Sequence, residues 1–223
     1  MELENLYSNI SSDGINKIFH KEESIDYWLN NIDKDTRMGI AVLARPNDNI
    51  KYKIQGVENE LKKIEENQYY YPKDNLHTTL FSIIVSKENF KYTQNQIEMY
   101  NEIINKILKE IKKFKINFKG IIASDGAVIV KGYYKEELEY FRRKLKKEIL
   151  EHGLELNEKY ITNSSHITIS RFKESLKNRE KFIKFIEEHN NYDFGEVDVS
   201  EIELTYHSMY GGKKEILYKY MLE

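Results

Sequence analysis

Two tripeptides in this chain carry the same chemistry: His77-Thr78-Thr79 and His166-Ile167-Thr168. Side chains two residues apart along a strand point to the same face, so each His and its Thr project together. Imidazole titrates near neutral pH and serves as either a proton acceptor or a proton donor. A hydroxyl beside it can donate to a phosphoryl oxygen. Two such pairs facing each other would supply a base, an acid and two donors for non-bridging oxygens. In-line displacement at phosphorus needs those parts. One imidazole would have to be neutral and the other protonated, and the pair would titrate as a coupled unit. A single His-x-Thr is weak among six histidines. Two copies at matched places in a repeated pattern are much stronger.

That repeat is visible in the surrounding residues. Gly39–Ala44 is a short apolar run closed by Pro46-Asn47-Asp48-Asn49, a buried strand and a turn. Ile54, Val57, Leu61 and Ile64 have helical spacing over 51–66. Leu76–Val85 reads as a strand, 96–113 as a helix and Lys115–Ala123 as a strand. The order then recurs. Gly126–Tyr133 is a strand, Glu136–Glu151 a helix stopped by Gly153, His166–Phe172 a strand and Asn178–His189 a helix. Val197–Tyr206 reads as one strand, and Gly211-Gly212 permits a hairpin to a last strand, Ile216–Leu222. The expectation is an α/β (α+β) bilobal fold from an internal duplication. Two mainly antiparallel sheets with outer helices would surround a central cleft, in lobes of about 37–124 and 125–223. Residues 1–36 read as a helical appendage, with a short helix at Ser24–Leu29 capped by Ser24.

Composition narrows the function classes. Apolar residues make up 40% and charged residues 32%, as in a globular protein. There is no cysteine, which removes thiolate nucleophiles, disulfides and Cys-based zinc sites and fits a cytoplasmic location. Net charge is −2, whereas proteins that coat long nucleic acid are usually basic. There is no apolar run of membrane-spanning length, and the first residues lack a secretory pattern. Without a carboxylate at fixed spacing, neither histidine suggests a metal site. No cofactor and a monomer are expected.

At these residues the chain resembles the 2H phosphoesterase superfamily, which includes 2′-5′ RNA ligase-like proteins and cyclic phosphodiesterases. The second motif continues to Ser170-Arg171, giving the His-x-Thr-x-x-Arg form; Phe81-Ser82-Ile83 stands where Phe-Leu-Gly is common in ligase-like members. The resemblance spans 38–223. It implies a bilobal duplicated fold with both motifs on adjacent central strands, and metal-free action on 2′,3′-cyclic phosphates, 2′-5′ linkages or other cyclic nucleotide phosphodiesters. His77, Thr79, His166 and Thr168 would be catalytic, and a nucleotide or short RNA the partner. A binding module without turnover and an RNA end-joining enzyme would share the same cleft.

Five further residues are candidates for holding substrate. Arg171 could pair with phosphate or be a structural cation, since simple alternation sets it on the face opposite His166. Tyr71 ends a Tyr69–Tyr71 run that could stack on a base or pack internally. Tyr133 shares a strand face with Lys131. Tyr206 and His207 are adjacent, so one of them must face away from any cleft. Arg142-Arg143-Lys144 with Lys146-Lys147 reads as a solvated basic helix face.

Overall fold

Residues 2–158, 163–210 and 212–223 are described in the computed structural model. The sheet halves are built around the two motifs. Strand β1 (Arg37–Ala44) is followed by helix α2 (Asp48–Lys62), the short β2 (Tyr69–Tyr70) and β3 (Thr78–Glu88); an N-terminal helix, α1 (Glu2–Phe19), precedes them. Asn47 caps α2 by accepting from the Ile50 N–H, so the helix starts before the expected residue 51. Helix α3 (Gln94–Leu108) is capped by Thr93 and buries Ile97, Tyr100, Ile103, Ile104 and Ile107. Then come β4 (Phe114–Ala123), β5 (Ala127–Tyr133) and α4 (Glu136–Glu151). Gly153, at φ 63°, ends α4 with Leu154 N–H donating to the Ile149 carbonyl, the closure glycine permits. Strand β6 (Ile167–Arg171), helix α5 (Arg179–Glu188) and strands β7 (Asp193–Val199), β8 (Glu201–Ser208) and β9 (Lys214–Met221) complete the described elements.

One antiparallel sheet runs β7-β4-β5-β6-β3-β1-β8-β9, with β2 added on β6. Its centre is thin, because β3 and β6 share only the pair Thr78↔Ile167. The expected two sheets are therefore two four-stranded halves meeting at the motifs. Helices α2 to α5 contribute to one large apolar cluster. A second, smaller cluster lies under α1.

Three expectations need correction. The lobes are not consecutive in sequence: β4 pairs with β5 and β7, and β8 returns to pair with β1. The strand expected at 197–206 is two strands, on different halves. Its apolar phase slips between Val199 and Ile202, and at that point Ser200 accepts from Leu222 N–H. The expected Ser24–Leu29 helix is one 3-10 turn, Tyr27–Asn30, and the Ser24 hydroxyl donates to Asp125 at 3.0 Å. The real helix is α1, whose Leu3, Tyr7, Ile10 and Ile18 pack inward. Gly14 lies in that stripe, where a Cβ would come within 2.3 Å of the Ala123 carbonyl oxygen. Of the expected Gly211-Gly212 turn, Gly211 lies outside the described residues; Ser208 N–H donates to Lys213 O across the β8–β9 connection.

Candidate active site

Thr78 and Ile167 face each other, almost fully buried. The residues flanking them, His77, Thr79, His166 and Thr168, are half-buried on the other face. Opposed residues in an antiparallel pair share a face. Extended by one residue each way, the register sets His77 beside Thr168 and Thr79 beside His166. A local two-fold through the Thr78–Ile167 pair exchanges the two motifs. Diagonal neighbours in such a pair lie about 7–8 Å apart at the backbone, a separation two side chains can close upon one phosphate. Behind them, the hydroxyls of Thr78 and Ser165 are hydrogen-bonded at 2.9 Å.

The equivalence extends to an irregularity. Leu43 pairs with Thr79 but Val42 with Phe81, which makes a bulge at Leu80. Ile129 pairs with Thr168 but Val128 with Ser170, which makes the matching bulge at Ile169. Each bulge buries two consecutive residues and reverses the alternation beyond it. Arg171 is thereby returned to the face of His166 and Thr168, against the simple-alternation expectation. Ser82 holds the equivalent place in β3. The Arg171 Nε donates to the Tyr71 hydroxyl at 2.9 Å, and that hydroxyl donates to the Met209 carbonyl at 3.4 Å. Tyr71 is 4% exposed and packs edge-on against Tyr69. It offers no stacking face; it holds the guanidinium.

Both rings are anchored through Nδ1 by the residue two before. His77 Nδ1 contacts the Asn75 carbonyl at 2.7 Å, and His166 Nδ1 contacts the Ser164 hydroxyl at 2.8 Å. This turns Nε2 of each ring to the cleft. A carbonyl only accepts, so His77 Nδ1 carries a proton and its neutral form has the lone pair on Nε2. Burial lowers the His77 pKa to about 3; the hydrogen bond to the Asn75 carbonyl opposes this in part, and smaller repulsions from His207, Arg45 and His166 add to the lowering. Burial also lowers His166 to about 4, with Arg171 and Arg142 adding to it. The cleft thus holds two neutral imidazoles among cations. An entering phosphate anion favours protonating one of them.

Several supporting residues were not singled out from sequence. Arg142, expected on a solvated face, is buried. Its guanidinium donates to Leu80 O and Ser164 O at 2.7 Å each, and to the Tyr134 hydroxyl. It ties the first bulge to the segment entering the second motif. Tyr7 of α1 places its hydroxyl between β5 and the approach to β6. That oxygen donates to Gly132 O at 2.9 Å and accepts from the N–H groups of Gly132 and Ser165. Arg45 lies beside His77, donating to Leu76 O and paired with buried Glu203 at 3.0 Å. No short-range spacing links these residues to the motifs, so no local signal marked them.

Of the adjacent pair on β8, His207 faces the site, its ring centroid 6.2 Å from that of His77. Tyr206 points away: its hydroxyl donates to Phe90 O and its ring packs on Tyr92. Tyr133 is also outside the site, because its hydroxyl donates to Glu4 and its ring packs on Tyr7. Tyr206 and Tyr133 are therefore withdrawn as substrate contacts. Among the described residues no group of three or more His, Cys, Asp or Glu is placed to hold a metal ion. No helix among them is long and apolar enough to cross a membrane.

Comparison with known proteins bears on the fold. TT0787 of Thermus thermophilus superposes with a TM-score of 0.60 at 14% identity, covering 83% of this chain and 97% of that one. LigT of E. coli complexed with NADP+ gives 0.56 at 14%, covering 84% and 99%. LigT complexed with 3′-AMP gives 0.55 at 14%, covering 83% and 98%. Among curated proteins no match was found. At this identity the structures speak for the fold. Residues 43–221 match the family described as the AKAP7 2′5′ RNA ligase-like domain, and by that match this chain belongs to the 2H phosphoesterase superfamily.

Proposed function

We propose that this chain cleaves a nucleotide phosphodiester without a metal ion, using His77 and His166 as acid and base. The observation that carries the reading is the local two-fold, which turns two anchored imidazoles and two threonine hydroxyls to one half-buried face. In the reaction, a neutral imidazole takes a proton from water as its oxygen bonds to phosphorus. The P–O bond on the opposite side breaks, and the protonated imidazole gives its proton to the departing oxygen. A 2′,3′-cyclic phosphate becomes a monoester, and the two rings exchange protonation states. Thr79, Thr168 and Arg171 stabilise the charge gathering on the non-bridging oxygens. That LigT was crystallised with 3′-AMP and NADP+ supports a nucleotide as the ligand class.

The test is a panel of 2′,3′-cyclic nucleotides, 2′-5′ oligonucleotides and cyclic oligonucleotides, assayed with EDTA present. Turnover is expected, and His77→Ala or His166→Ala should lower kcat/KM by roughly 100- to 10,000-fold each. Turnover abolished by EDTA, or retained by both variants, would overturn the proposal.

A further inference from the structure

The two motifs are entered differently. Ahead of His77, Lys73–Asn75 form a 3-10 turn in which Asn75 N–H donates to Pro72 O and Leu76 N–H to Lys73 O. The anchor of the first ring, the Asn75 carbonyl, thus belongs to a turn that supports itself. Ahead of His166, residues 163–165 have no helix, turn or strand of their own. They carry the second anchor, the Ser164 hydroxyl. Direct β5–β6 pairing ends at Val130↔Ile167 and does not reach them.

What holds that second approach comes from α1. Two residues beyond the last pair, Gly132 stands opposite Ser165, and a Cβ there would come within 1.8 Å of the Ser165 carbonyl oxygen. At this close approach the Ser165 N–H donates to the Tyr7 hydroxyl at 3.3 Å. The same oxygen accepts from Gly132 N–H at 3.1 Å and donates to Gly132 O at 2.9 Å. One phenol thus takes the place of the ladder bonds that an antiparallel pair would exchange there. Both Tyr7 and Ser165 are buried, so these backbone groups depend on it for a partner. Burial pushes the Tyr7 phenol up to about 12, against a partial lowering by Gly132 and Ser165, so it keeps its donor proton while the histidines titrate. The root of the phenol is fixed too. Leu3 and Ile10 pack on the cluster that holds the Tyr7 ring, and Gly14 meets the Ala123–Ser124 backbone.

We propose that Tyr7 is a positioning residue for His166: its hydroxyl fixes Ser165 and, through the backbone, the Ser164 anchor of the ring. Helix α1 is then part of the reaction apparatus, although it precedes residues 43–221, which carry the family match. The proposal rests on the phosphodiesterase reading above. Tyr7 itself transfers no proton. Without its hydroxyl, the Ser165 N–H and both Gly132 backbone groups lose their partner, and the approach to His166 must shift to recover one. A reacting group misplaced by about 1 Å can cost roughly a hundredfold in rate.

The experiment compares Tyr7→Phe, which keeps the ring and removes the hydroxyl, with Ile10→Ala, which loosens the same helix and keeps the hydroxyl. Urea unfolding should show both full-length variants less stable than wild type. On the panel ester that is turned over, Tyr7→Phe should lower kcat by roughly 10- to 100-fold and change KM less than about twofold, since the phosphate-binding groups stay in place. Imidazole nitrogen NMR of the labelled chain should show His166 signals moved, as its bond to Ser164 loosens, and His77 signals unmoved. Ile10→Ala should keep kcat within about twofold and leave both rings in place. In the wild type, amide hydrogen exchange at Gly132 and Ser165 should be as slow as in the strand core of β5, a measurement that stands even if Tyr7→Phe does not fold. Unmoved His166 signals or unchanged kcat in Tyr7→Phe, an equal loss of kcat in Ile10→Ala, or fast exchange at Ser165 would each overturn the positioning role while leaving phosphodiester cleavage standing. Displaced His166 signals in Tyr7→Phe, with no ester turned over by the wild type, would do the reverse.

Discussion

The two halves of the sheet share a tripeptide, a bulge one residue beyond it and an Nδ1 anchor two residues before it, yet they differ around that common part. The His77 half lies among polar side chains, His207 and the Arg45–Glu203 pair. The His166 half is backed by α1 and carries Arg171, where the first half has Ser82. The difference teaches that the local two-fold relating the motifs does not extend to their surroundings.

The sharpest way to break that comparison is at Ser82 and Arg171, which hold equivalent places. Arg171→Ala should lower kcat/KM about a hundredfold, the scale for one charged or preorganised donor lost from a transition state. Arg171→Lys should recover part of it, since a lysine keeps charge but not the fork that reaches both Tyr71 and a phosphate. Ser82→Ala should change activity less than about twofold, as for a partly exposed residue without such a role. Equal losses in the two alanine variants, measured by steady-state kinetics, would show that the halves share phosphate binding as well.

How far this asymmetry was legible depends on which interactions carry it. The histidines and threonines were readable because their chemistry lies in residue type and a period of two. The face of Arg171 was not: the bulge that reverses it arises from pairing with β5, which no residue of β6 announces. The helix of the expected appendage was placed at Ser24–Leu29 rather than at α1, whose Ser11-Ser12-Asp13-Gly14 stretch is rich in turn-forming residues. Tertiary contact overrides that preference, and the glycine is there for close approach rather than for bending. The break between β7 and β8 was present as a phase slip at Ser200, but the exchange of strands between halves depends on contacts distant in sequence.

A medium-sized effect sharpens the role of α1. Gly14→Ala forces a methyl to within 2.3 Å of a backbone oxygen and should destabilise the fold by about 1–3 kcal/mol. Gly56, within α2, has open space at its Cβ position, and Gly56→Ala should instead stabilise by roughly 0.5–1 kcal/mol. Urea unfolding of both variants decides this. A neutral Gly14→Ala would mean that α1 is loosely seated.

The smallest effect compares the two imidazoles directly. Both have folded pKa values below the ordinary 6.5, at about 3 for His77 and about 4 for His166. Below about 6.5 the unfolded chain therefore binds more protons than the folded one, and stability falls as pH is lowered. The contribution is fully present above the unfolded value and is lost progressively toward the folded ones. Replacing either ring by glutamine removes one such linkage, so the thermal midpoint of the variant should fall less steeply from pH 7 to pH 5. The flattening should persist to lower pH for His77→Gln than for His166→Gln, because its folded value is lower. Saturating phosphate should flatten the wild-type curve in the same way, since a bound anion favours the protonated ring. Parallel curves for wild type and both variants would mean that the rings titrate as they do in water, and that neither half of the cleft desolvates its histidine.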